Sequence, residues 1–172
     1  IFTILYSFTN YDLFRKMDFV GLRNYVHLFS DGFFLTSVRN TLVYVVLTVI
    51  PPMALGLLVA VTLNGKLYAR GFSRAAFYIP YIASTISISM IWLWIFDPSA
   101  GILNQFVHLL GLPRRAWLYD VDRAMGSIVF MSIWKTIGYN MVIYLAGLQT
   151  IPIELYEAAR VDGSNAIQSF FH

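Results

Sequence analysis

Cysteine is absent from the 172-residue sequence, so neither a disulfide frame nor a thiolate metal site can form. Histidine is scarce: His27, His108 and His172 stand far apart and match no ligand spacing. Charge is scarce as well. Asp, Glu, Lys and Arg make up 12% of the residues, against about 25% in an ordinary soluble domain. A soluble fold of this length needs more polar surface than that. The net charge of +3 is small, and apolar runs interrupt the basic residues, which argues against nucleic acid as a partner. No nucleophile–base pair, metal cluster or phosphate-cradling glycine loop is visible, so no catalytic residue and no bound cofactor or metal is assigned.

What is present is apolar. Hydrophobic residues make up 58% of the chain, a surplus that points to lipid as the outer solvent. Three long segments are nearly free of charge, at about 36–63, 75–96 and 124–148. Each can supply the roughly 20 helical residues that cross a hydrocarbon core. The opening residues, about 1–8, read as the tail of a further span, and the chain reads as part of a longer protein. The expected fold class is therefore all-α and integral to the membrane, a polytopic helical bundle.

Pro51-Pro52 falls inside the first segment and predicts a kink. Pro80 is expected in the first turns of the second. Orientation follows from cations. Lys66, Arg70 and Arg74 crowd a short acid-free loop. Arg15, Lys16 and Arg23 on one side, and Arg114, Arg115 and Arg123 on the other, are spread through longer loops that also hold acids. The denser loop is expected to be cytoplasmic, which puts the C-terminal residues from Thr150 on the same side. Trp92, Trp94, Trp117 and Tyr119 suit a membrane interface. Ile102–Leu110 reads as a short amphipathic helix on the outer surface.

Ser132, Thr136, Asn140 and Tyr144 recur every four residues and share one helical stripe, with Lys135 beside it. Tyr81, Ser84 and Ser87 are expected on one face of the second segment. These polar groups are either packing contacts or the lining of a solute path. Lys135 either faces a site or snorkels to the interface. Hydroxyls, amides and aromatic faces suit a sugar or related polyol.

The last two dozen residues contain Glu157-Ala158-Ala159-Arg160-Val161-Asp162-Gly163. Thr150 can cap a helix with Pro152 in its first turn. Gly163 can end it, and Ser164 can cap a second helix from Asn165. Glu157 and Arg160 can pair weakly. The small Ala158 and Ala159 would let another surface approach closely. Shape alone fits an ordinary amphipathic helix at a membrane surface as well as a docking element.

The string resembles the EAA loop of binding-protein-dependent ABC importer permeases of the sugar-uptake type. Leu148-Gln149, Ile151-Pro152, Glu154-Leu155-Tyr156-Glu157-Ala158-Ala159 and Asp162-Gly163 match that pattern, with Ser164 for the usual alanine. Further pieces follow in the family's order: Val20-Gly21-Leu22-Arg23-Asn24-Tyr25, Asn40-Thr41-Leu42, Arg74-Ala75-Ala76-Phe77-Tyr78-Ile79-Pro80, Gly101-Ile102-Leu103-Asn104 and Trp117-Leu118. The resemblance is to maltose, multiple-sugar and glycerol-3-phosphate permeases.

It implies an ABC type I importer transmembrane domain with a core of six helices, part of which lies outside this chain. It implies a non-catalytic subunit of a prokaryotic inner membrane. The implied partners are a cytoplasmic ATPase dimer that uses the ATP, a second permease subunit that is a paralogue or a copy, an extracytoplasmic solute-binding protein, and membrane lipid. Glu157, Ala158, Ala159, Asp162 and Gly163 would couple to the ATPase. The alternative is a secondary transporter or channel fragment with a chance EAA-like loop. That class needs intramembrane ion or proton sites, and the three segments contain no acid.

Overall fold

The computed structural model describes residues 2–11, 17–65, 70–165 and 168. Among them the secondary structure is helical, apart from one isolated antiparallel bridge between Thr9 and Phe19. The chain divides into two compact units, Ile1–Val46 and Leu47–His172.

In the first unit, α1 (Phe2–Ser7) is followed by the bridge and by α2 (Arg23–Ser30). Asn24 ties them together: its side-chain amide donates to Ser7 O at 2.8 Å and to Thr9 O at 3.0 Å. The Ser7 and Tyr25 hydroxyls lie 2.6 Å apart. The chain then enters α3 (Gly32–Asn64), which runs on into the second unit.

The second unit holds the rest of α3, then α4 (Arg70–Ile82), α5 (Thr85–Ile95), α6 (Ile102–Leu109), α7 (Val121–Gln149) and α8 (Ile153–Val161). At 1.5 Å per residue, α3 with 33 residues and α7 with 29 are about 50 and 43 Å long. Both exceed a hydrocarbon core of about 30 Å, and both are apolar enough to cross it. α3 continues through Pro51 and Pro52, which remove two main-chain donors from its middle.

The second expected span is not one helix. α4 and α5 meet at 96°, as a broken span or a re-entrant loop. Pro80 sits near the C-terminal end of α4, not in the first turns of a span. Its ring disfavours continued helix around it. Ser84, at φ −53° and ψ 128°, leaves helical backbone altogether and opens α5. This elbow also separates Tyr81 from Ser84 and Ser87. They do not share a helical face, because a 3.6-residue repeat cannot be carried through a right-angle bend.

α7 is the axis of the unit, and two glycines bring its neighbours close. A Cβ on Gly56 of α3 would lie 2.6 Å from Asn140 Cβ and 3.0 Å from Met141 N. A Cβ on Gly138 would lie 2.5 Å from the Phe77 carbonyl carbon and 2.9 Å from Tyr78 Cα. Backbone therefore touches backbone at both crossings, as small residues permit between membrane helices. Below the α3 crossing, Ala60, Leu63, Met141 and Leu145 form a buried cluster flanked by Val59, Tyr144 and Leu148. Outside this seam large apolar side chains are open, among them Leu58 at 63% and Ile86 at 72% exposure. That surface needs lipid or another subunit to cover it.

Candidate functional site

The C-terminal hairpin is built by three turn devices. Thr150 closes α7: its hydroxyl donates to Gly147 O at 2.7 Å, and its N–H reaches the same carbonyl at 3.1 Å. It serves the preceding helix and not, as expected, the N-terminus of α8. The chain then passes Pro152, whose carbonyl accepts the Leu155 N–H at 3.2 Å. Glu154 in the first turn of α8 favours the positive end of the helix dipole.

α8 ends in a Schellman turn. Gly163 takes φ 80°, and the Ser164 N–H reaches back to Ala159 O at 2.9 Å. A Cβ at Gly163 would meet nothing within 4 Å, so conformation and not space demands the glycine. Next, Asn165 N–H donates to Gln168 Oε1 at 2.9 Å and Gln168 N–H to Asn165 Oδ1 at 2.8 Å. This reciprocal pair is a capping box. Asn165, not Ser164, makes the capping bonds, because an amide side chain three residues before Gln168 can complete both. The second helix expected from Asn165 falls on residues outside the described ones, as does Lys66. So does the Arg160 side chain, and with it the expected Glu157–Arg160 pair.

Glu157, Ala158, Asp162 and Gly163 are exposed and Ala159 is half-buried. Ile153, Leu155 and Val161 are open beside them, Val161 at 88%. Acid, small and apolar groups on an open hairpin can dock against a protein groove.

A second group of candidate side chains gathers where the elbow meets α7. The Tyr81 and Tyr139 rings stack at 4.6 Å and 22°. Lys135 Nζ donates to Thr85 Oγ1 at 2.6 Å. Trp134 meets Trp92 edge-on at 5.5 Å, and Phe130 meets it at 5.6 Å. Tyr81 of α4 meets Tyr139 and Thr85 of α5 meets Lys135, so the chain runs through the elbow in the direction opposite to α7. Beside them, Ala76, Phe77, Pro80, Trp134 and Ile137 line a pocket of about 170 Å³.

The expected stripe on α7 is split between two surroundings. Thr136 Oγ1 donates to Ser132 O at 2.7 Å, and Asn140 Nδ2 to Thr136 O at 3.2 Å. The Thr136 hydroxyl and one of the two Asn140 amide N–H groups are thus used on their own helix. Asn140 lies against Gly56, and Tyr144 lies against the buried cluster with α3. Lys135 and Tyr139 face the elbow instead. Ser84 and Ser87 are exposed on the α5 side of the bend. Tyr139 and Trp134 escaped the sequence reading. Their signal was present in the spacing: Tyr139 follows Lys135 by one helical turn.

The expected interface aromatics also divide. Tyr119 is 77% and Trp94 57% exposed. Trp92 packs against α7. Trp117 is held by the loop between α5 and α7, its Nε1–H donating to Asn104 Oδ1 at 3.0 Å. Fully buried Asn104 also accepts the Arg115 N–H at 2.9 Å and donates to the carbonyls of Asp97, Pro98 and Arg115. At the start of this loop, Asp97 accepts the Ser99 hydroxyl at 2.6 Å and the Ala100 and Ser99 N–H groups. Those donors, the Ser99 hydroxyl first, hold its carboxyl below the usual 3.8. At the far end Asp120 caps α7 and pairs with Arg123. α6 forms where the amphipathic helix was expected.

Residues 33–172 match the family model for binding-protein-dependent transport system inner membrane components. A probable ABC transporter permease of Bacillus subtilis, YurN, is 38% identical over 100% of this chain and 60% of its own length. The arabinooligosaccharides transport system permease AraP of Halalkalibacterium halodurans is 36% identical over 91% of this chain and 50% of its own length. Among solved structures, a chain of a bacterial alginate ABC transporter in complex with an alginate pentasaccharide-bound periplasmic protein is similar. Its TM-score is 0.75, with 28% identity over 86% of this chain and 52% of that one. This chain thus spans about half to three-fifths of the relatives it matches.

Proposed function

Because this chain belongs to the family of binding-protein-dependent transport system inner membrane components, we propose that it is the membrane-spanning part of an ATP-driven importer for a sugar or related polyol. The observation that carries the reading is the hairpin. It places Glu157, Ala158, Ala159, Asp162 and Gly163 around one left-handed turn, on an open surface next to the end of α7. α3, the α4–α5 elbow and α7 cross a prokaryotic inner membrane, and α1 is the tail of a further span. Lys66 together with Arg70 and Arg74, which lie in the first turns of α4 and not in a loop, favours a cytoplasmic side for the hairpin.

There it inserts into a partner ATPase dimer. That dimer binds and hydrolyses the ATP, while this subunit holds no cofactor and makes no bond. A solute-binding protein delivers the solute to the outer face, where the Asn104-braced loop stands, and a second permease subunit completes the pathway. The names of the relatives and the solved neighbour, concerned with arabinooligosaccharides and alginate, support a saccharide as cargo. Tyr81, Ser84, Ser87, Ser132, Lys135, Thr136, Asn140 and Tyr144 are the candidate contacts along its path. Mechanically, nucleotide-driven motion of the ATPase pulls on the hairpin. The hairpin must therefore bind the ATPase differently in its two states.

The test uses the full-length permease with its partners. Glu157→Lys and Gly163→Val are expected to abolish solute uptake and ATPase co-purification while membrane insertion persists. A cysteine at Ala158 is expected to crosslink to the ATPase. Normal uptake in both variants would sink the coupling role.

A further inference from the structure

Lys135 stands 14 residues from either end of α7, about 21 Å by helical rise. With α7 centred on a hydrocarbon core about 30 Å thick, Lys135 lies near the midplane, beyond the reach of a four-carbon stem to either interface. The side chain does not extend along the helix in any case; it turns to the elbow and meets Thr85 Oγ1.

No carboxylate pairs with Lys135 among the described residues, where the one ion pair is Arg123 with Asp120. α3, α4 and α5 contain no acid, and the lone acid in α7 is Asp122 in its first turn. An ammonium carries three donors. One is used on a neutral hydroxyl, and no other acceptor among the described residues takes the remaining two. A cation at this depth is costly unless a counter-charge or water meets it. The stacked Tyr81–Tyr139 pair lies one helical turn away along the same contact, an aromatic face beside an open cation.

On the transport reading above, we infer that the cargo is an acidic saccharide, and that Lys135 receives the carboxylate of a uronic-acid-type unit as it passes the elbow. A carboxylate, with two acceptor oxygens, suits the two open donors. A phosphate would call for a cluster of cations, and the elbow contact holds one. Thr85 positions the ammonium, and the tyrosine pair offers a surface to the sugar ring.

The experiment measures uptake by the full-length permease with its own binding protein and ATPase. The probes are oligogalacturonate, oligomannuronate and oligoglucuronate, each paired with its methyl ester, plus maltotriose and xylobiose as neutral sugars. Wild type is expected to take up at least one acid faster than its ester. Lys135→Met is expected to lose that preference by about tenfold or more, the worth of a charge-assisted hydrogen bond. Lys135→Arg is expected to keep most of it, and Lys135→Met is expected to slow neutral uptake much less than acid uptake. Uptake of esters or neutral sugars alone overturns this inference and leaves the saccharide reading intact. Equal loss of acid and neutral uptake in Lys135→Met also overturns it, since a merely structural cation behaves that way. Uptake of no saccharide overturns both readings.

Discussion

Replacing Gly138 with alanine adds one methyl group where α7 meets α4. That methyl would sit 2.5 Å from the Phe77 carbonyl carbon and 2.9 Å from Tyr78 Cα. The Phe77 carbonyl oxygen is closer still. Comfortable carbon–carbon separations are about 3.5–4.0 Å, so α4 must retreat by more than about 1 Å. All three obstructing atoms are backbone and cannot rotate away. Overpacking of this kind costs about 1–3 kcal/mol, and immobile neighbours favour the upper end. Against it stands the helix propensity of alanine over glycine, about 1 kcal/mol. The net expectation is a loss of about 2 kcal/mol. The retreat also opens the 4.6 Å Tyr81–Tyr139 stack and the 2.6 Å Lys135–Thr85 bond.

Gly147→Ala in the same helix is the control, because its added methyl meets nothing within 4 Å. It is expected to stabilise by up to about 1 kcal/mol. The assay is thermal unfolding of the purified full-length permease in detergent, followed by tryptophan fluorescence. Gly138→Ala should melt below wild type and Gly147→Ala at or above it. Equal midpoints for the two variants would refute the claim that the α4 and α7 backbones touch.

The hairpin turn can be tested by replacing Gly163 with alanine and with asparagine. Alanine should weaken the turn by about 1–2 kcal/mol, the cost of left-handed backbone for a residue with a Cβ, and asparagine by less. Solute-stimulated ATPase activity should fall in the same order; identical activities would remove the conformational argument. In the outer loop, Asn104→Leu strands three carbonyls, the Arg115 N–H and the Trp117 indole N–H. Unpaired buried groups cost about 1–3 kcal/mol each, so limited proteolysis within residues 97–120 should accelerate at least tenfold while α3 and α7 stay resistant. The same loop should respond to acid. Asp97 is held below its ordinary value, so its hydrogen bonds contribute fully above about pH 4. That contribution fades as pH falls through the lowered value. Protease resistance measured with an acid-active protease should drop below pH 4 in wild type and change less in Asp97→Asn.

The membrane class was legible because it rests on composition and run length. Few charges and long apolar runs leave no soluble alternative, and α3 and α7 formed where those runs lie. α6 was legible from its spacing. The elbow was not. Residues 75–96 read as one span because periodicity counts apolar side chains and is blind to a single residue, Ser84, leaving helical backbone. Pro80 signalled disruption, but its place at the end of a helix depended on where α4 began. The caps were misassigned for a related reason. Thr150 and Ser164 are both suitable N-cap types, and only the position of the neighbouring backbone groups decided which side chain found a partner.

For the elbow contacts the division is sharper. The sequence by itself determined that a lysine, hydroxyls and aromatics occur inside apolar segments, that Gly163 suits the end of a helix, and that the Glu157–Gly163 string follows the apolar run 124–148. Those are local matters, governed by solvation and by backbone conformation. Tertiary structure alone decided that Lys135 faces Thr85, that Tyr139 and not Ser84 joins Tyr81, and that Asn140 and Tyr144 turn to α3. Residues 50 or more positions apart meet only when Gly56 and Gly138 let three backbones close on one another. Contact of that kind is set by the packing of helices, which no single segment encodes.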